Sequence, residues 1–99
     1  MDVSIFERSL ADSTPPQGLS PLLLALWYER RGDWTRAHEI AQDIESADAA
    51  SVHAYLHRRE GDRSNAAYWY RQAGRPIERG DLGDEWRALV TRLLESAGG

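Results

Sequence analysis

Hydrophobic residues are densest in the stretch that follows Ser20, where positions 22–28 read LLLALWY before charged residues return. A helix over this stretch is apolar on every side and must be covered on every side. Ser20 and Pro21 are typical of a helix start, and Gly32 with Asp33 is typical of a helix end followed by a new cap. The pattern therefore predicts a central helix that the other helices cover.

Short polar breaks divide the rest of the chain into further helices. The segment at residues 4–12 begins with Ser4 and Glu7 in capping-box spacing, and the segment at residues 82–96 follows Asp81, a typical cap. Between these two capping helices we predict two helix-turn-helix units, over residues 20–46 and 48–74. Turns as short as these require the two helices of each unit to lie antiparallel.

The sequence thus predicts an all-α fold in a single domain over residues 1–99. We expect five helices, in which two stacked antiparallel hairpins form a right-handed superhelical arrangement between an N-terminal and a C-terminal capping helix. Residues 97–99 are expected to fray. The apolar faces of these helices predict a core of Leu22, Leu23, Leu24, Ala25, Trp27, Ala37, Ile40, Ile44, Val52, Leu56, Ala66, Trp69, Tyr70, Trp86, Leu89 and Leu93.

The two hairpins repeat each other at a constant offset. Gly61 and Asp62 stand 29 positions after Gly32 and Asp33, and the small residues at positions 25 and 54 are separated by the same interval. An internal period of this size is typical of stacked helical hairpins. The turn that ends the first helix of each unit is therefore predicted to have the same structure twice.

These residues resemble the tetratricopeptide (TPR) or Sel1-like helical repeat, in two degenerate units over about residues 20–74. The residues that carry the resemblance are Ala25, Tyr28, Gly32, Asp33, Trp34 and Ala37 in the first unit, and Ala54, Gly61, Asp62, Ala66, Tyr70 and Ala73 in the second. The period of 29 is shorter than the usual one of about 34, and His57 stands where the second unit should have tyrosine. The resemblance implies protein or peptide binding on a concave face.

We accordingly expect a non-enzymatic protein-interaction module that binds a peptide, a partner protein or itself. Tyr68 points away from the apolar stripe of its helix, beside Arg71, and Tyr and Arg are enriched at interfaces. The predicted contact residues are Tyr28, Tyr55, Tyr68, Arg71 and Arg75. No catalytic residue is predicted, because serines and threonines fall at caps and loops and the aspartates at positions 33, 62 and 81 are used as caps.

His53 and His57 support a different class of function. Their spacing of four places both imidazoles on one helix face, as in many zinc sites. Two histidines do not hold a metal, so a third ligand would have to come from His38 or Glu60. We favour structural or solvated histidines and expect no metal or other cofactor; the alternative is a small-molecule or metal-binding helical domain that uses His53 and His57.

Composition limits the number of domains, the class of partner and the cellular location that we expect. The chain has 99 residues, 41% of them hydrophobic, which is typical of one globular domain. Its net charge of −4 argues against nucleic acid as a partner, because phosphate contacts need an excess of basic residues. The chain has no cysteine, no basic secretory signal at its start and no apolar run long enough for a bilayer. We therefore expect a cytoplasmic protein with no membrane partner.

Charge is distributed unevenly along the chain. Residues 58–79 contain six arginines and three acids, a local charge of +3, whereas residues 29–48 contain three arginines and six acids, a local charge of −3. Ordinary solvated helix faces are the favoured explanation. The alternative explanation is a homodimer in which oppositely charged patches of the two copies meet.

Overall fold

Six α-helices account for the secondary structure of residues 1–97, the part of the chain that the computed structural model describes, and no strand occurs there. They are α1 (Val3–Ser9), α2 (Pro21–Arg30), α3 (Trp34–Gln42), α4 (Ala47–Arg59), α5 (Arg63–Ala73) and α6 (Leu82–Ala97). The all-α prediction is confirmed. The predicted count of five is wrong, because two hairpins contribute four helices and the capping segments add two more. Residues 98 and 99, part of the end expected to fray, lie outside the described residues.

Side-chain caps set most of the helix starts. The side chain of Ser20 accepts a hydrogen bond from the backbone N–H of Leu23 at 3.4 Å, as the sequence predicted for α2. Asp33 and Asp62 cap α3 and α5 in the same way. Each cap satisfies an amide that the first helical turn leaves without a partner.

Two predicted boundaries are wrong. The cap of α1 is Asp2, whose carboxylate accepts from the N–H of Ile5 at 2.9 Å, so the helix begins before Ser4 and ends at Ser9. The second unit was predicted to start at residue 48, but the cap of α4 is Ser46, and Asp48 falls in the first helical turn. In both cases the observed cap stands two positions before the predicted one, and either residue could have served as a cap from sequence alone.

The repeated turns have matching structures. Gly32 and Gly61 have φ angles of +92° and +88°, values that a residue with a Cβ rarely adopts. In each turn the N–H of the following aspartate donates to a helix carbonyl five residues earlier, at 2.9 Å for Asp33 and 2.8 Å for Asp62. The offset of 29 residues therefore corresponds to a repeated local geometry.

Helix α4 is the element that most others contact. It packs against α2, α3, α5 and α6, and residues 49–56 are all buried. Helix α2, which the hydrophobic pattern placed at the centre, packs against α3, α4 and α6 and is also largely buried. The small side chains of Ala49, Ala50 and Ala54 let neighbouring helices approach α4 closely, and this is a feature that hydrophobicity alone does not reveal. No helix in residues 1–97 combines the length and the apolar character needed to cross a membrane.

The predicted core is confirmed for most of its members. Four residues on that list, Leu24, Ile40, Ile44 and Trp69, are only half-buried because the outer faces of their helices have no neighbour to cover them fully. The prediction omitted several buried side chains, among them Phe6, Leu26, Tyr55 and Val90. Phe6 stacks on Trp86 with ring centroids 5.7 Å apart, so α1 and α6 contact each other.

Two buried carboxylates join the helices, and each has one tyrosine and one arginine as partners. Glu29 of α2 accepts from the hydroxyl of Tyr55 at 2.7 Å and pairs with the guanidinium of Arg59 at 3.3 Å. Burial raises the pKa of the Glu29 carboxyl, although the Tyr55 hydrogen bond and the Arg59 charge act in the opposite direction. Tyr55 is fully buried in this pair, so its prediction as a contact residue is wrong: its side chain is part of the core.

Glu85 of α6 is the second buried carboxylate. One of its oxygens accepts from Nη1 of Arg58 at 2.8 Å and the other accepts from the hydroxyl of Tyr70. Each carboxylate thus connects helices that are distant along the chain, and each has a tyrosine and an arginine as partners. Buried charges require this kind of pairing, since an unpaired one would cost several kcal/mol, about 3–5.

We expect Tyr55→Phe to destabilise the protein by about 1.5–3 kcal/mol, because the substitution removes a hydrogen bond to a charged and buried carboxylate. Urea unfolding followed by circular dichroism measures the change. Tyr68→Phe is the matched control: it removes the same hydroxyl from an exposed tyrosine and should change stability by less than about 0.5 kcal/mol. Equal unfolding midpoints for the two variants would contradict the role given to the Tyr55–Glu29 pair.

Candidate metal centre

All three histidines of the chain meet between α3 and α4. His38 comes from α3, and His53 and His57 come from successive turns of α4. One ring nitrogen of each histidine lies within 4.8 Å of a ring nitrogen of each of the other two. His53 is buried, whereas His38 and His57 are half-buried, so the cluster begins inside the protein and reaches its surface.

A hydrogen bond determines which nitrogen of His53 is available. Its Nε2 lies 3.2 Å from the backbone oxygen of Ala41. Because a carbonyl oxygen only accepts, Nε2 must carry the proton, and Nδ1 then has a lone pair. Nδ1 has no hydrogen-bond partner among the described residues, although the side chain is only 3% exposed. A buried polar atom without a partner calls for an explanation, and a bound cation would supply one.

His57 has a carboxylate as its neighbour. Its Nδ1 lies 2.7 Å from Oε1 of Glu60, one turn later at the end of α4. With the proton on Nδ1, the Nε2 lone pair is available for a ligand. Metal-binding histidines commonly donate their second ring N–H to a carboxylate or a backbone carbonyl, and His57 and His53 show one arrangement each.

Two tryptophans hold the imidazole rings. Trp34 stacks on His38 with centroids 5.0 Å apart, and its Nε1 donates to the backbone oxygen of Leu56 at 2.7 Å, which anchors the indole to α4. Trp69 of α5 stacks on His53 with centroids 4.2 Å apart. The indoles restrict the ring orientations and form apolar walls on two sides of the cluster.

The environment favours neutral imidazoles. Burial lowers the pKa of His38, and the positive charge that His57 can carry lowers it further. Burial also lowers the pKa of His53, against a smaller opposite effect of the hydrogen bond to Ala41. A metal ion binds the unprotonated ring, which the lowered pKa favours in His38 and His53.

To bind an ion, the ring nitrogens of the cluster would have to come closer together. In a tetrahedral zinc site with bonds of about 2.0–2.1 Å, ligand nitrogens lie about 3.3 Å apart, somewhat closer than the limit of 4.8 Å found here. His38 and His57 are half-buried and can make this adjustment at the surface. Glu60 and Asp62 also have carboxylate oxygens within 4.8 Å of His57 and of each other, but both oxygens of Asp62 already accept from Asn65, so Glu60 is the carboxylate that could join the ligands.

The structure distributes the other predicted site residues over different surroundings. Tyr28 is half-buried beneath the guanidinium of Arg36, at 4.7 Å. Tyr68 is 45% exposed and lies edge-on against Trp69, at the border of the histidine cluster. Arg71 and Arg75 are exposed on and just after α5.

Sequence reasoning named His53 and His57 and mentioned His38 as a possible third ligand, but it assigned Trp69 to the core and gave Trp34 no role in the site. A usable signal was present. Trp34 and His38 are four residues apart on α3, as His53 and His57 are on α4, and antiparallel neighbours can bring two such pairs face to face. The signal becomes specific only when the register of α3 against α4 is known.

Comparisons of the chain with protein-family models, with curated proteins and with solved structures find no match.

The free energy of unfolding should fall as the pH drops from 7.5 to 5.5 in metal-free protein. A histidine whose folded pKa is lowered contributes stability that is present above its unfolded pKa of about 6.5 and is lost as pH falls through the folded value. For His53 the slope is at most about 1.4 kcal/mol per pH unit. Glu29 has the opposite effect on the free energy of unfolding: because folding raises the pKa of its carboxyl, its contribution to stability increases as the pH falls. Urea unfolding in EDTA should give a shallower slope for His53→Gln than for the parent protein, and identical slopes would contradict the assignment.

Proposed function

We propose that this protein is a metal-binding helical domain in which His38, His53 and His57 hold one divalent transition-metal ion. The observation that carries the proposal is the unpartnered Nδ1 of a buried histidine beside two further imidazoles. Hydrogen bonds to Ala41 and Glu60 orient two of the three rings. In known metal sites the ligand histidines are oriented by hydrogen bonds of the same kind.

The ligand set suits particular ions. Imidazole nitrogens bind zinc, copper and nickel well, whereas calcium and magnesium prefer oxygen ligands. Three protein ligands would leave a fourth position of a tetrahedral ion open, and we expect that position on the surface side of the cluster because His38 and His57 are half-buried. Such a site would cross-link α3 and α4 and would leave room for a water molecule, Glu60 or a partner's side chain.

Isothermal calorimetry with zinc should show one ion bound per chain at micromolar protein. We expect His57→Gln to weaken binding by about 100-fold and Glu60→Gln by about tenfold, because the first removes a ligand and the second removes its hydrogen-bond partner. His57 and Glu60 are partly exposed, so both variants should fold.

Asp12→Asn is the control, since it removes an exposed carboxylate from the loop after α1. It should bind zinc like the parent protein. No heat with zinc, nickel or copper would overturn the proposal and would leave the histidines as packing residues. Equal weakening in Asp12→Asn and His57→Gln would indicate nonspecific charge effects.

We also propose protein interaction as a second function, in the TPR-like manner that the residue pattern resembles, with a peptide, a partner protein or a second copy as the ligand. The observation that favours it is the outer surface of α5 and the residues that follow. Tyr68 is 45% exposed there, with Arg71 and Arg75 exposed beside it. Large exposed aromatics flanked by arginines are enriched at interfaces.

Native mass spectrometry tests the self-association arm of this second proposal. If the α5 surface joins two copies, the parent protein should give a dimer mass that Tyr68→Ala reduces by about tenfold or more in population, because an exposed aromatic anchor is lost. Glu95→Gln, an exposed α6 residue, is the control and should leave the dimer unchanged. A monomer at all concentrations would exclude the homodimer and would restrict the proposal to other proteins or peptides.

A further inference from the structure

We propose a second ligand site, for a phosphate-type oxyanion, in the cavity formed by Ser51, Arg75 and Arg92. The cavity has a volume of about 160 Å³ and lies between α4, the segment after α5, and α6. That size matches a small ligand group and not an extended molecule. The proposed site is separate from the histidine cluster and does not depend on the metal proposal.

The first support is a set of buried donors without acceptors. Oγ of Ser51 and both Nε and Nη2 of Arg92 are inaccessible to solvent and have no hydrogen-bond partner among the described residues. The Ser51 residue is only 3% exposed. The Arg92 side chain is 29% exposed, but these two N–H groups are shielded from water and unpaired, and an acceptor that enters the cavity would remove the cost of leaving them so.

The second support is electrostatic. Burial lowers the pKa of the Arg92 guanidinium, and the positive charge of Arg75 lowers it further, against a smaller opposite effect of Asp48. Two arginines that repel each other beside one cavity are stabilised when an anion lies between them. Guanidinium groups present paired N–H donors that match the oxygens of a phosphate or carboxylate.

The nearby acids leave the buried donors of Arg92 without a hydrogen-bond acceptor. Asp48 lies 3.6 Å from Nε of Arg92, which is an ion-pair distance but too long for a hydrogen bond. Both oxygens of Glu85 are occupied by Arg58 and Tyr70. Glu78 also lines the cavity, but one of its oxygens accepts from the backbone N–H groups of Arg79 and Gly80 and holds the turn before α6.

Phosphate is the anion class that fits these donors best. A tetrahedral oxyanion presents oxygens in directions outside a single plane and can accept from Arg75, Arg92 and Ser51 on different sides of the cavity, whereas the acceptor sites of a carboxylate lie in one plane. The group could come from free phosphate or from the phosphoryl end of a larger molecule. The open side toward exposed Arg75 permits both.

Amide NMR of the full-length, metal-free protein in EDTA tests the site. Inorganic phosphate added at constant ionic strength should shift the amides around Ser51 and Arg92 in a saturable way. Arg75→Gln should raise the dissociation constant by about tenfold or more, since it removes a charged hydrogen-bond donor. Ser51→Ala should raise it by a smaller factor, because only a neutral donor is lost.

Arg71→Gln is the matched control, with the same loss of charge at an exposed arginine one turn earlier. It should bind phosphate like the parent protein. Phenyl phosphate separates the two sources: tighter binding than inorganic phosphate indicates the phosphoryl end of a larger molecule, and equal or weaker binding indicates the free ion. An absence of saturable shifts up to tens of millimolar phosphate, or equal weakening by Arg71→Gln and Arg75→Gln, would overturn the proposal.

Discussion

The burial of α4 is the constraint on which the rest of the structure depends. Eight consecutive residues of this helix, 49–56, lie inside the protein, and three of them, Ser51, His53 and Tyr55, carry polar groups. A buried polar group that lacks a partner costs about 1–3 kcal/mol. The surrounding helices must therefore place hydrogen-bond acceptors and donors next to these side chains. Glu29 on α2 and the carbonyl of Ala41 on α3 are two such groups.

Charged residues enter the interior for the same reason. Tyr55 brings a hydroxyl into the core and Glu29 accepts from it, and the buried carboxylate then requires Arg59 at its outer end. Tyr70, Glu85 and Arg58 repeat this arrangement where α5 and α6 meet α4. The packing of the capping helix α6 is therefore specified by a charge pair as well as by apolar contact.

The atoms that this matching leaves unpaired indicate where ligands would bind. Within residues 1–97, the buried side-chain nitrogens and oxygens without partners belong to His53 on one side and to Ser51 and Arg92 on the other. Ser51 and His53 are two positions apart in α4, and about 200° separates their directions around the helix axis. The two proposed sites therefore lie on different sides of one buried helix and can bind their ligands independently.

The sequence by itself determined the class of fold and most of the helix starts, because capping residues, glycine turns and apolar periodicity act within a few residues of each other. Ser20, Asp33 and Asp62 are caps for this local reason, and the Gly32 and Gly61 turns match. Only the tertiary structure decided that α4 is central, that Tyr55 is buried, and that His38 joins His53 and His57. Those outcomes depend on the register of one helix against another, which is set by packing between residues distant along the chain. No local pattern contains that register, and both proposed ligand sites depend on it.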